Sequence, residues 1–430
     1  MRGLLYLLLL AELLLFTWFR GVLGPYSNPV VLYGLAVAIC ALLYRHIRHA
    51  PPPAAATPQR QPFRSAAVLA ASGAGVWIST AWVRKIMREL PVEVNSSDII
   101  PSVQVYARRW RAGQEIYRPL KPELHRFMAP TYLPATWFPF VLPEWLGFDY
   151  RWLAWAALLG LGAGGYLLVL LLGPRRRAWP ATLLPAAVPF LSIFSLLRTE
   201  ESLVGQTVEG LTIGYYALLV AGILRRWGGP EALGLVLGLL SRYALVFWVP
   251  LYLGLVYFQD SRRRALRLAG AVLAGVLGLY VLPYLARDWT VFAQVQDYYT
   301  AAAVSEWQRR WPGGLPYHLA NGVGFAPHFY RFAPGPVLHK IQLLKAVQVA
   351  LLLLVTAGAA GLYWRRRAPR TNHRLYAVLV LKLYLTTFYA FVQVPYAYLA
   401  AVGVFLSAFL VLVVEEGAPV TLRLMRNEAV

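Results

Sequence analysis

The chain has 430 residues, 59% of them hydrophobic and only 14% charged, with a formal charge of +22. Soluble domains carry roughly 25% charge, so this composition excludes an ordinary globular protein. The excess arginine falls in short clusters between apolar blocks, a pattern that orients membrane helices and argues against nucleic-acid binding.

Apolar blocks at 4–19, 29–44, 66–83, 153–172, 268–285, 347–364 and 397–414 approach the length of about 20 residues that crosses a bilayer. No small-residue cleavage site follows the first block, so it is expected to remain a helix. Residues 1–44 read as a two-helix hairpin, and the Pro/Ala-rich stretch 50–62 as a cytoplasmic linker, giving an N-terminal unit 1–64. The main body is expected over 65–416 and a cytoplasmic tail over 417–430. The basic clusters Arg45/Arg48/Arg60/Arg64, Arg175/Arg176/Arg177, Arg225/Arg226, Arg262/Arg263/Arg264/Arg267 and Arg365/Arg366/Arg367/Arg370/Arg374 are assigned to the cytoplasm.

Three segments then face outward: 84–131, 198–209 and 286–340. Arg84, Lys85 and Arg88 at the start of the first run against the charge trend. In that loop Ile99, Val103, Tyr106 and Trp110 recur at helical spacing while Arg108, Arg109 and Arg111 lie off the stripe. The expectation is a helix lying in the membrane interface, apolar face down, with a second over 294–311 anchored by Tyr298, Tyr299, Trp307 and Trp311. The stretch 230–258 lies between two basic clusters and is too short for two full spans, so a pair of short helices turning back inside protein is expected. The whole reads as an all-α polytopic membrane protein of roughly 11–13 helices.

The glycine-rich run 160–165 matches a dinucleotide fingerprint only in letters, because it sits within an apolar span and no strand precedes it. Small residues there serve close helix packing. The single cysteine, Cys40, forbids an intrachain disulfide, and seven scattered histidines suggest neither a metal site nor a cofactor. With only 19 acidic residues, the outward carboxylates form a short list: Glu89, Glu93, Asp98, Glu115, Glu123, Glu200, Glu201, Glu209, Asp288, Asp297 and Glu306. Asp98 stands just before the amphipathic helix, where it is placed either to cap that helix or to act at the membrane surface.

The same loop carries a family resemblance. Ser97-Asp98-Ile99, then 112–117 (AGQEIY), then 132–140 (YLPATWFPF) resemble the ordered pattern of GT-C glycosyltransferases, especially carbohydrate-active family 87. Gly205-Gln206 resembles that family's outward Gly-Gln step. Gly234, Gly238, Arg242 and Pro250 resemble its G-x-x-x-G-x-x-x-K helix followed by proline, with arginine where lysine is usual. The resemblance covers roughly residues 66–415.

It implies transfer of a hexose (mannose-like) or a pentose from a polyprenyl-phosphate donor to a glycan, lipid or protein acceptor, outside a bacterial inner membrane. It also implies Asp98 as the base, and a carboxylate there is chemically apt, since the acceptor hydroxyl must lose a proton as it attacks. The leaving lipid phosphate calls for arginine, for which Arg242, Arg198, Arg287, Arg309 and Arg310 are candidates. Arg242 stands amid apolar sequence, where an arginine is either functional, paired with a buried acid or snorkelling. Tyr117, Tyr132, Glu200, Glu201 and Gln206 are the candidate substrate contacts. The competing function is a transporter or flippase of lipid-linked sugars, although no internal repeat of the kind usual in transporters is visible.

In a Cys40→Ser background, single cysteines replacing Asp98, Glu200 or Asp297 are expected to react with an impermeant maleimide applied outside intact cells. Cysteines replacing Arg176, Arg263 or Arg366 should react only after permeabilisation. Labelling of position 98 from the cytoplasm would overturn the topology.

Overall fold

A computed structural model describes residues 1–48, 62–124, 128–172, 180–309, 311, 314–365 and 372–416. Among these residues every regular element is helical. In chain order the principal helices are α1 (Arg2–Thr17), α2 (Arg20–Ile47), α3 (Pro62–Glu89), α4 (Ile99–Arg111), α5 (Tyr150–Leu171), α6 (Pro180–Thr199) and α7 (Glu209–Arg225). They continue as α8 (Gly228–Ser241), α9 (Trp248–Gln259), α10 (Arg262–Leu285), α11 (Thr290–Gln308), α12 (Val337–Arg365), α13 (His373–Ala390) and α14 (Ala397–Glu416).

Six of these, α2, α5, α6, α10, α12 and α14, are long and apolar enough to cross a membrane, and they mark the chain as an integral membrane protein. The roughly 11–13 helices expected from sequence include shorter or more polar ones that pack into the same bundle. Helices α1, α7, α8 and α9 have only 16, 17, 14 and 12 residues. Helix α3 contains the uncharged block 66–83 and carries Arg84, Lys85 and Arg88 only in its last turns, while α13 carries Arg374 and Lys382. The stretch 130–172, whose crossings charge counting leaves open, contains a single span, α5, preceded by three short turns over 134–146.

Helices α7 and α8 form an antiparallel hairpin at the centre of the bundle. Glycines let the two backbones touch: a Cβ at Gly234 would stand 2.7 Å from Leu219 Cα, and one at Gly222 2.6 Å from the Glu231 nitrogen. The run 160–165 overlaps a π-helical turn (Leu158–Gly164) within α5; Gly162 abuts the Phe405 ring and Gly165 lies against Ala221 of α7, so these two glycines pack helices together.

The excursion from α8 into α9 begins and ends at the same end of the bundle. At that end Glu231 accepts hydrogen bonds from Tyr252 at 2.6 Å and from Arg264, while Asp260 pairs with Arg226 and, at 2.6 Å, with Arg264. Arg225 donates there to the Val169 carbonyl and Arg374, at 3.3 Å, to that of Leu224. Several basic clusters thus gather at one end, and the turn of the excursion, at Arg242, lies at the other. Arg60, Arg175, Arg176, Arg177, Arg366, Arg367 and Arg370 fall outside the described residues.

The N-terminal hairpin packs into the same core as the body, α1 against α6 and α14, and α2 against α13. Its second helix is broken at Gly24 (φ 68°), which only glycine adopts cheaply, and Pro25 restarts it. Glu12 binds the Lys382 ammonium at 2.6 Å and accepts from the Ser407 hydroxyl, and the ammonium donates again to the Gly403 carbonyl at 2.8 Å. Glu12 and Lys382 are 3% and 1% exposed, so each is a charge that the other must compensate. Lys382→Met alone should cost about 3–5 kcal/mol, because it strands a buried carboxylate. Glu12→Leu combined with Lys382→Met should recover most of that loss in thermal unfolding in detergent. A single variant as stable as the wild type would show that the pair does not hold the hairpin.

Candidate functional site

The first loop is built around two buried arginines. Arg109 was expected on the polar side of an interfacial helix, but it is 2% exposed and all its donors are used. Its guanidinium meets Glu123 through two bonds at 2.9 and 2.8 Å. It also donates to the carbonyls of Ile116, Arg118 and Pro119 at 3.1, 2.7 and 2.9 Å. The segment after α4, starting from Gly113 in the left-handed region (φ +64°), is wrapped around this one side chain. Arg151 does the same at the base of the loop, binding Asp149 and the carbonyls of Leu90 and Met87 at the end of α3 at 2.6 and 3.3 Å.

The expectation that α4 lies apolar face down in lipid is therefore corrected. Its apolar face is covered by protein, with Tyr106 stacked on Trp137 at 5.9 Å and Trp110 against Phe138 at 5.4 Å. Similarly Trp307 of α11 is no lipid anchor; it is fully buried and its Nε1 donates to the Gln393 carbonyl at 2.8 Å. The cause is common to both: aromatic faces find closer partners on neighbouring protein segments than in lipid.

The segment 130–137 links this loop to the central hairpin. Leu133 is extended and Pro134 opens the short helix Pro134–Trp137. The Ala135 carbonyl accepts from Tyr215 of α7 at 2.9 Å, and Thr136 donates to the Ser241 carbonyl at 3.0 Å, one residue before Arg242. Tyr132 is positioned by its own backbone: its carbonyl accepts from the Tyr117 hydroxyl at 3.0 Å and its N–H donates to the Tyr106 hydroxyl at 3.4 Å. Burial first, and the negative charge of Asp98 second, hold the Tyr132 phenol well above its ordinary pKa, so it stays a proton donor.

Asp98 precedes α4 and makes no side-chain cap hydrogen bond. The hydroxyl of Ser97 serves the backbone here, accepting from the Ile99 N–H at 3.4 Å and donating to the Gln206 carbonyl at 2.9 Å. The negative charge of Asp98 acts on Tyr132, Tyr299, Tyr396 and Tyr398, all within its electrostatic range.

Arg242 closes the other side. It sits between α8 and α9 in extended conformation (φ −153°, ψ 147°), where the helix is interrupted. Its guanidinium is paired with Glu209, the first residue of α7, whose side chain is 2% exposed against 30% for Arg242. Tyr299 and Tyr398 lie within electrostatic range of Asp98, Glu209 and Arg242 alike, which brings all five groups to one place. Tyr396 and Tyr398 are stacked at 5.2 Å. The strand of chain that carries them is held by the third loop: Val323 N–H donates to the Pro395 carbonyl at 2.8 Å and Phe325 N–H to that of Ala390 at 2.7 Å.

Of the residues singled out from sequence, Asp98, Tyr132 and Arg242 thus share Tyr299 and Tyr398 as electrostatic neighbours, and the carbonyl of Gln206 is bonded to Ser97, next to Asp98. Tyr117 stands behind Tyr132 as its support. Glu200 is bound to Arg20 at 2.8 Å and to the Ser202 hydroxyl, and Glu201 opens the short turn Ser202–Gly205. Arg198 lies over the Trp82 ring at 4.3 Å, Arg309 is 73% exposed beside Glu306, and Arg310 lies outside the described residues. Glu209 stands in the short list of outward carboxylates but without a role, and Tyr396 and Tyr398 are not singled out from sequence. The available signals were an acid three residues past Gly205-Gln206, at the mouth of an apolar helix, and a Y-x-Y step after Pro395. Among the described residues no three His, Cys, Asp or Glu side chains are grouped to hold a metal. No protein-family model, curated protein or solved structure matches the chain.

The Arg109 clamp predicts a pH response of the loop. Hydrogen bonding to Arg109 holds the Glu123 carboxyl below its ordinary value of 4.5. The stabilisation is therefore complete above 4.5 and is lost as pH falls through the lower, folded-state value. Protection factors over 112–124, corrected for the intrinsic pH dependence of amide exchange, should be high and level at neutral pH and fall on acidification, with Glu123→Gln removing that acid-induced fall. Arg109→Ala should destabilise by about 1–3 kcal/mol or more, since it leaves the carbonyls of Ile116, Arg118 and Pro119 without their donor. Unchanged exchange in Arg109→Ala would refute the clamp.

Proposed function

We propose that this chain is a membrane glycosyltransferase that moves a hexose (mannose-like) or a pentose from a polyprenyl-phosphate donor to a glycan, lipid or protein acceptor. The observation that carries this reading is that the same two tyrosines, Tyr299 and Tyr398, lie within electrostatic range of Asp98, Tyr132 and Arg242, three residues far apart in sequence. They are the positions where the sequence resembles the GT-C glycosyltransferases, whose overall architecture we propose for this bundle.

In this mechanism the acceptor hydroxyl attacks the anomeric carbon, and its proton passes to the Asp98 carboxylate. A new carbon–oxygen bond forms as the bond from that carbon to the phosphate oxygen breaks. The leaving lipid phosphate keeps the electron pair, and the Arg242 guanidinium offsets its charge. Tyr396 and Tyr398 offer stacked ring faces of the kind that pack on the C–H face of a sugar. The basic clusters at the opposite end of the bundle support an outward-facing site by the positive-inside rule.

The test is transfer of radiolabelled sugar from a polyprenyl-phosphate donor by purified protein. Asp98→Asn should fold and bind donor yet lose about 10²–10⁴-fold in turnover, because asparagine keeps the size but accepts no proton. Arg242→Lys should keep part of the activity; it is the informative variant, because Arg242→Ala would leave Glu209 buried without its partner. Near-normal turnover by Asp98→Asn would remove it as the base. Movement of intact lipid-linked sugar across proteoliposomes, without transfer, would replace this reading with a flippase.

A further inference from the structure

Glu209 has an uneven set of partners. Its Oε1 receives the Arg242 guanidinium, while its Oε2 is buried and has no hydrogen-bond partner among the described residues. The side chain as a whole is 2% exposed. Buried carboxylate oxygens are nearly always paired, so an orphan beside a candidate substrate site calls for a ligand donor.

The pair is also rigidly placed. The Glu209 N–H donates to the Thr207 hydroxyl at 3.3 Å, and Gly210 lies so close to α5 that a Cβ would stand 2.8 Å from the Ala154 carbonyl. Across from it the Arg242 N–H donates to the Gly238 carbonyl at 3.3 Å. The groups facing the pair from neighbouring elements are Tyr299 of α11, Tyr389 of α13 and Tyr398 of α14. Among the described residues Glu209 is the charged group paired with Arg242, so a bound phosphate would meet the guanidinium and the Glu209 carboxylate together.

We propose that Glu209 is a specificity residue: its unpaired oxygen accepts a hydrogen bond from a hydroxyl of the sugar while Arg242, held by the other oxygen, takes the phosphate. This rests on the transferase reading above and adds the substrate class the site selects, a glycosyl phosphate with a free hydroxyl next to the anomeric carbon. A bare lipid phosphate brings charge but no hydroxyl of its own sugar, and is repelled by the carboxylate. Discrimination of this kind favours loading of the sugar-bearing donor and release of the lipid phosphate left after transfer.

Binding of decaprenyl-phosphate mannose and of decaprenyl phosphate to the full-length protein in detergent, followed by native mass spectrometry, tests this. The wild type should prefer the mannosylated lipid by about tenfold or more. Glu209→Gln should bind decaprenyl phosphate more tightly than the wild type does, because the repulsion is gone, and the preference should collapse. If Glu209→Gln does not fold, Glu209→Asp decides: it keeps the charge and withdraws the oxygen, so only the mannosylated lipid should lose affinity. A wild type without preference, or variants in which both lipids shift by the same factor, would overturn the proposal and leave Glu209 a purely structural partner. A wild type that discriminates through Glu209 but transfers no sugar would overturn the transferase reading while supporting this one. Transfer with an undiminished preference in Glu209→Gln would do the reverse.

Discussion

An arginine within an apolar hairpin has to be compensated, and the centre of this molecule is arranged around that requirement. Helix α8 has 14 residues and so rises about 21 Å, well short of the hydrocarbon thickness of about 30 Å. It stops at Arg242, where the chain turns back through α9 toward the end from which it came. The guanidinium left at that depth is neutralised by Glu209, which the antiparallel pairing of α7 with α8 brings to the same level. Glycines at 222 and 234 make the pairing close enough for this to happen, since larger side chains would push the two backbones apart.

The rest of the site is attached to that hairpin by backbone hydrogen bonds to loop segments. The short helix Pro134–Trp137 is bonded both to α7 and to the last residue of α8. The first loop is attached in turn through Tyr117, Tyr106 and Tyr132, and its far end is closed by the guanidinium of Arg109. The third loop holds the chain around Tyr396 in the same manner. Long loops with few regular elements can position side chains only when their free carbonyls are satisfied, and buried arginines, with five donors each, do this efficiently.

The N-terminal hairpin belongs to the same economy of buried charge. Glu12 and Lys382 lie in helices far apart in the chain, and each is tolerable in an apolar surrounding only because the other is there. The link sets α1 against α13 and α14, and α13 ends beside Tyr389, one of the rings around Arg242. The two buried acid–base pairs are thus joined through a single helix.

Composition and the spacing of apolar blocks were sufficient to define an all-helical membrane protein, because a span's length and polarity are set by the bilayer and not by its neighbours. The excursion through 230–258 was legible for the same reason: two basic clusters closer together than two spans require leave little else. Asp98, Tyr132 and Arg242 could be singled out from motif and polarity. Their convergence could not be, since it depends on how α7, α8 and the loops dock. The role of Glu209, one of the outward carboxylates, and the part of Tyr396 and Tyr398 were hidden because an acid at a helix start and tyrosines near a membrane surface are ordinary in sequence. The burial of Arg109 ran against its place on a polar stripe, because periodicity records which residues share a face but not what covers that face. Local sequence decided the helices and which polar residues were costly to bury. Only the tertiary structure decided which charges met, because partners for buried charges are chosen across the fold and not along the chain.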